Sequence, residues 1–157
     1  MLKRLMTMVA TCCAVGSLVG VAPTSVAAHR APGADLAVER LDPDAAPAGG
    51  LTSVHAIVVN TGTAKAGAFT VTITLPRQVT AEGRFFPASC AVSGDGSTVR
   101  CPFRAGLAPE RSATARIPVR LDRDATGTLT GGRVAVSSEG DPTPDDDAAP
   151  FTVTVQR

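Results

Sequence analysis

Tryptophan and tyrosine are absent and phenylalanine occurs five times, so aromatic residues make up 3% of the 157-residue chain. Flat sugar faces are commonly met by Trp or Tyr platforms, and without them glycan binding is not expected. Lysine is nearly missing, with only Lys3 and Lys65, and the formal net charge is +1. No basic face that could neutralise several phosphates is visible, which argues against a nucleic-acid partner. Histidine is limited to His29 and His55. A hydrolytic triad needs a general base beside its nucleophile, and His55 has the parity of a solvent-facing strand residue, opposite to Val54 and Val58. No G-x-S-x-G elbow, H-E-x-x-H pair or phosphate-cradling glycine loop occurs. Asp122 and Asp124 flank Arg123 just after a strand, in the manner of a solvated loop and not of an acid–base pair in a cleft. An enzyme is not expected. Nor does any segment after residue 28 carry a 3.6-residue apolar period, so helices are not expected either.

What the chain does have is 44% hydrophobic and 18% charged residues with a mean hydropathy of +0.17. That is too apolar for a disordered chain and sufficient for one core. Residues 1–28 read as a secretory signal peptide. Lys3 and Arg4 open it, Leu5 to Val21 is apolar, and Val26-Ala27-Ala28 offers the small residues of a cleavage site before His29. A retained anchor is the other reading, but the apolar stretch is marginal against the roughly 20 residues that span a bilayer. Cys12 lacks the small-residue motif of a lipoprotein site. Cleavage leaves no membrane span, a short flexible N-terminus at 29–33 and one domain at 34–157. No apolar tail follows Val155-Gln156-Arg157, so release or wall association outside the cell is the expectation.

Strands dominate the remainder. Phe69, Val71, Ile73 and Leu75 alternate with Thr70, Thr72 and Thr74. Ala113, Ala115, Ile117, Val119 and Leu121 alternate with Thr114, Arg116, Pro118 and Arg120. Pro118 cannot donate to a ladder, which suggests an edge strand there. Further strands are expected at Leu36–Val38, Leu51–Val59 (stopped by Asn60-Thr61-Gly62), Arg133–Ser137 and Phe151–Gln156. Gly94-Asp95-Gly96 marks a hairpin turn between Cys90 and Cys101. Outside the cell such a lone pair is most simply a disulfide, here stapling the open end of that hairpin. In the chain-entropy view, closing about a dozen residues stabilises by roughly 2–3 kcal/mol. Seven to eight short strands with regular turns give an all-β fold, an antiparallel β-sandwich of immunoglobulin type.

The order Ala34-Asp35-Leu36, Val58-Val59-Asn60-Thr61-Gly62, Leu75-Pro76 with Val79-Thr80, Cys90 and Cys101, Leu107-Ala108-Pro109, and Gly140-Asp141-Pro142-Thr143-Pro144-Asp145-Asp146-Asp147 resembles the bacterial surface-domain family known as domain of unknown function 11. It is also similar to the cell-adhesion-related domain found in bacteria. The resemblance implies an immunoglobulin-like sandwich on the cell exterior, of the kind found in adhesins, stalks and wall-associated proteins, with no enzyme activity. The chain departs from the family in three ways: it carries one copy of a domain that often comes in tandem, Glu110 stands where glycine is common, and Asp145-Asp146-Asp147-Ala148 replaces an asparagine pair.

Two features remain as candidate sites. Asp141, Asp145, Asp146 and Asp147 could supply the oxygen ligands of a calcium ion; the other reading is a hydrated, proline-stiffened loop that keeps the surface soluble. If strands simply alternate in direction, Asp42, Asp44 and Glu82 fall at the same end as this loop. Arg84-Phe85-Phe86-Pro87 places adjacent rings on opposite faces, so that one could anchor a partner; in the alternative, one ring enters the core and the other covers the disulfide. The leading expectation is a secreted, non-enzymatic interaction or structural module of the cell envelope or matrix, with an extracellular protein or envelope component as partner and no required cofactor. A small-molecule carrier or an inhibitor is the alternative; a carrier needs a hollow core, which small inward residues such as Ala56, Ala113 and Ala115 would permit.

Overall fold

The computed structural model describes residues 33–157; the expected leader at 1–28, with Cys12 and Cys13, and His29 lie outside the described residues. Ten strands follow in order: β1 (Leu36–Glu39), β2 (Ala46–Pro47), β3 (Leu51–Asn60), β4 (Phe69–Thr74), β5 (Val79–Ala81), β6 (Ala91–Val92), β7 (Thr98–Phe103), β8 (Ser112–Leu121), β9 (Thr128–Ser138) and β10 (Ala148–Gln156). They form a four-stranded sheet, β1-β3-β8-β5, and a six-stranded sheet, β2-β10-β9-β4-β7-β6. All pairs are antiparallel except β2 with β10. No helix of the described residues is long and apolar enough to cross a membrane.

Period-2 patterning builds the core directly. Val54, Ala56 and Val58 of β3 and Ala115, Ile117 and Val119 of β8 point inward from one sheet. Val71, Ile73, Val99, Val134, Val136, Phe151 and Val153 meet them from the other, all buried. The intervening residues face outward, among them half-exposed His55, paired in register with Arg116.

β2 and β5 were not foreseen, because two or three residues are too few to show a period. β9 extends further toward its start than expected, because its pattern changes phase. Leu129 is buried, then Gly131 and Gly132 intervene, and inward positions resume at Val134. The β9–β10 register slips between Phe151/Gly132 and Val153/Leu129, leaving one extra residue on β9. Glycine is required at 132: a Cβ there would lie 2.6 Å from the Phe151 ring.

Pro118 does not mark an edge strand. β8 lies between β3 and β5. The proline faces the stretch where the outer partner is interrupted, between the end of β5 at Ala81 and an isolated bridge from Phe86 to Arg116. Its missing N–H therefore costs no ladder bond. Its carbonyl still accepts from the Glu82 N–H at 3.0 Å.

The disulfide between Cys90 and Cys101 is formed. Ala91 pairs with Arg100 and Val92 with Val99, so the bridge closes the open end of the β6–β7 hairpin, with buried Cys101 fixing it to the core. At the turn, the Asp95 carboxylate accepts from Ser93 Oγ, Ser97 Oγ and Ser97 N–H. These bonds hold its pKa down at about 2, Ser93 contributing most.

Candidate functional site

The strand register defines two ends of the sandwich. At one end β1 begins, β3 finishes, β8 begins, β9 finishes and β10 begins. Three loops gather there: 61–68, 104–111 and 139–147.

Asn60 ties the first two together. It is fully buried, its Nδ2 donates to the carbonyls of Ala64 and Leu107, both at 2.8 Å, and its Oδ1 accepts from the N–H groups of Asp35 and Gly62. Its backbone pairs with Arg111 and Glu110. A buried amide stabilises only when its donors and acceptors are matched, and here both ends of the side chain are. Gly62 is equally constrained: a Cβ would lie 2.2 Å from the Gly33 carbonyl oxygen and 2.6 Å from the Asp35 nitrogen. The Asn60-Thr61-Gly62 segment, read from sequence as a turn, is thus a latch between the first strand and two loops. Glu110 sits at φ 60, in the left-handed region that favours glycine.

The 139–147 loop covers the free edge of β1. Asp141 accepts from Leu36 N–H through Oδ2 at 2.8 Å and from Thr143 N–H through Oδ1 at 3.1 Å. The Asp146 carbonyl accepts from Val38 N–H, and the Asp147 carbonyl from Val136 N–H. An exposed edge strand is a template for unwanted pairing, and this loop closes it.

The same packing draws carboxylates out of water. Asp35, which precedes β1, is 7% exposed; its Oδ2 accepts from Thr61 Oγ1 at 2.9 Å. Asp35 Oδ1, Asp146 Oδ1 and Asp147 Oδ1 are buried and have no protein hydrogen-bond partner. Burial first, then the neighbouring Asp141, Asp146 and Asp35 charges, push the Asp147 carboxyl up to about 6. Asp146 is raised by burial first, then by Asp35. Asp145 is exposed at the loop surface. Among the described residues no group of three or more His, Cys, Asp and Glu side chains stands as a ready-made metal cage.

Of the four acidic loop residues named from sequence, Asp141 and Asp146 are fixed against β1 by hydrogen bonds, and buried Asp35, which sequence reasoning missed, directly precedes that strand. Asp35 lies more than a hundred residues away and nothing in its spacing announced a role. Asp42, Asp44 and Glu82 do not join the cluster. The chain crosses from β1 in one sheet to β2 in the other, so simple alternation of strand direction fails. Asp42 instead accepts from Thr152 N–H in the middle of β10, and the Asp44 carbonyl accepts from Thr52 near the start of β3. Glu82 pairs with Arg120 toward the opposite end. Asp122 and Asp124 are exposed.

The two phenylalanines divide as their parity suggests. Phe85 packs against the core, whereas Phe86 is 59% exposed. Phe86 lies in the connection that runs from the β5 edge of one sheet to the β6 edge of the other, where Val92 is also exposed. Elsewhere the surface shows open depressions, such as one of about 620 Å3 between residues 75–78 and 126–131.

No family model matches the chain, and no curated protein matches it. Among solved structures, it is similar to a cohesin of Acetivibrio cellulolyticus solved in complex with a dockerin. The TM-score is 0.56 at 13% identity, over 80% of this chain and 99% of that one. It is also similar to a CARDB domain of Pyrococcus furiosus solved in complex with di-metal ions. There the TM-score is 0.51 at 17% identity, over 78% and 93% of the two chains. The fold is an immunoglobulin-like sandwich. At these identities the likeness is one of fold alone, and no family model supports the more specific resemblance to domain of unknown function 11.

Proposed function

We propose that this protein is a secreted, non-enzymatic interaction module of the bacterial cell envelope or matrix, whose partner is an extracellular protein or envelope component. Residues 1–28 direct it out of the cell and are removed. The observation that carries the reading is the flank between β5 and β6. There Phe86 and Val92 stand exposed on a segment that the Cys90–Cys101 bridge anchors to the core. An apolar ring held on a rigid support is the usual form of an interface anchor, because little freedom is lost on binding. The fold likeness to a domain that binds a dockerin supports the same direction. A carrier role is not favoured: Leu36, Ile73, Ile117, Leu121 and Phe151 are fully buried, and these large side chains occupy the core that such a role would need hollow.

Fractionation of producing cells, followed by crosslinking, tests this reading. We expect the protein in the envelope fraction, released by a low-salt wash, with one crosslinked macromolecule that is lost in Phe86→Ser. Recovery wholly in the medium, with no crosslinked partner and a co-purifying small molecule, would overturn it in favour of a carrier.

A further inference from the structure

We infer that the outer face of the β1-β3-β8-β5 sheet is the surface that takes the partner, and that the partner is a protein segment presenting apolar side chains around a carboxylate. The inference rests on the interaction role proposed above and adds where, and with what chemistry, that role is exercised.

The edges of the sandwich are closed to a partner that adds a strand. The 139–147 loop covers β1. On β5, the Ala81 N–H donates to the Gly96 carbonyl of the neighbouring hairpin turn. On β7, beyond its pairing with β6, Pro102 has no N–H and its carbonyl accepts from Ser89 Oγ. On β10, Pro150 has no N–H and Asp42 takes the Thr152 N–H. Such devices keep strands from pairing with other chains. Recognition is left to side chains.

The two outer faces differ in what they offer. Across β4, β7 and β9 of the larger sheet, the outward positions include Thr70, Thr72, Thr74, Arg100 and Arg133, a wetted surface rich in hydroxyls. On the smaller sheet, the outward positions of β3 are Leu51, Ser53, His55, Ile57 and Val59. Leu51 is 56% exposed, and Ile57 and Val59 are partly exposed. A solvated sheet face ordinarily alternates to polar residues, and a contiguous apolar one marks a contact surface. Leu51, Ser53, His55 and Pro118 also border an open depression of about 530 Å3 on this face.

Phe86, Arg116 and His55 stand in one row across it. Arg116 is in register with His55 on one side and bridges to Phe86 on the other. Directly opposed residues carry their side chains on the same face, about 5 Å apart. An exposed guanidinium therefore stands between an exposed ring and an imidazole. Phe86 is held there by its own backbone, whose N–H donates to the Arg116 carbonyl at 3.0 Å and whose carbonyl accepts from the Arg116 N–H at 2.8 Å.

Charge names the occupant. Arg120, on the same strand, is paired with Glu82. Arg116 has no acidic partner among the described residues. The nearest acids of the face, Glu39 on the edge strand and Asp44 at the depression, lie toward its margins. A guanidinium fork matches a carboxylate, and arginine and aromatic side chains dominate the centres of interfaces. A carboxylate on Arg116, ringed by apolar contacts to Phe86, Ile57 and Leu51, answers both features.

The test is binding of labelled, purified protein to a washed envelope preparation of the producing cells, one portion of which has first been digested with a protease. We expect saturable binding by the wild type that digestion abolishes. Arg116→Glu should weaken it about thirtyfold or more, and Leu51→Ser about fivefold. Arg133→Glu, on the outer face of the larger sheet, should bind as the wild type does. All three positions are exposed, and matching unfolding midpoints will show that the variants fold. No saturable binding by the wild type would overturn the interaction role and this inference with it. Binding lost in Phe86→Ser but kept in Arg116→Glu and Leu51→Ser would leave the role standing and overturn the sheet face. Binding that survives digestion would overturn the protein partner in favour of an envelope polymer. Equal loss in Arg133→Glu would overturn the site by showing diffuse charge attraction. A wild type that sediments as a dimer, dissolved by Arg116→Glu, would replace the proposed occupant with a second copy of the chain.

Discussion

The two ends of this sandwich treat the same residue type in opposite ways. Away from the 139–147 loop, Glu82 and Asp95 each have the partners they need. Glu82 meets the Arg120 guanidinium, which holds its carboxyl below the usual range through hydrogen bonding and charge. Asp95 gathers three hydrogen bonds in the hairpin turn and is lowered to about 2. At the loop end, Asp146 and Asp147 are pushed up, because burial removes water and the nearest charges are also negative. A carboxylate in a sheet protein is therefore not informative by itself. Its surroundings decide whether its charge is held or opposed.

The strongest way to break the contrast is to dismantle the latch that assembles the loop end. Asn60→Ala leaves two carbonyls and two N–H groups without their side-chain partner in a buried site. We expect a loss of about 4 kcal/mol in denaturant unfolding, a large share of the total for a domain of this size. Removing both Cys90 and Cys101 attacks the hairpin on the other flank. A loss of roughly 2–3 kcal/mol is expected, together with the appearance of local exchange in β6. Glu110→Gly works the other way. Its positive φ favours glycine, and a gain of about 1 kcal/mol should appear as a higher denaturant midpoint.

The smallest effect sharpens the contrast by pH. The folded pKa of Asp95 lies below its ordinary value of 3.8. Its contribution to the turn is therefore complete above about pH 4 and fades as pH falls toward about 2. The protection factor of the Ser97 amide, with the intrinsic pH dependence of exchange divided out, should fall across that interval and hold above it. A protection factor that begins to fall at about pH 6, or that does not fall at all, would show that the turn does not depend on this carboxylate.

Much of the scaffold was legible in the sequence, because period-2 alternation in segments such as Phe69–Leu75 and Ala113–Leu121 is imposed directly by burial on one face. The disulfide followed from a lone pair of cysteines around a turn. What escaped had no local signal. β2 and β5 are too short to carry a period, and Pro118 in β8 is tolerated only because its outer neighbour is interrupted at residues 82–85. The candidate site was half visible. Asp141, Asp146 and Asp147 stand close in sequence, but Asp35 reaches them only through the pairing of β1 with β3 and the folding of the loop over that edge. The switch from β1 to β2 across the sheets is also why Asp42, Asp44 and Glu82 were expected in the wrong place.

The asymmetry between the ends is tested most directly by nuclear magnetic resonance of the uniformly 13C,15N-labelled protein, following each side-chain carboxylate through a pH titration. The account predicts that Asp147 titrates at about 6 and Asp95 at about 2, with Asp146 above and Glu82 below their ordinary values. Titration of Asp147 and Asp95 together at their common ordinary value of 3.8 would contradict it.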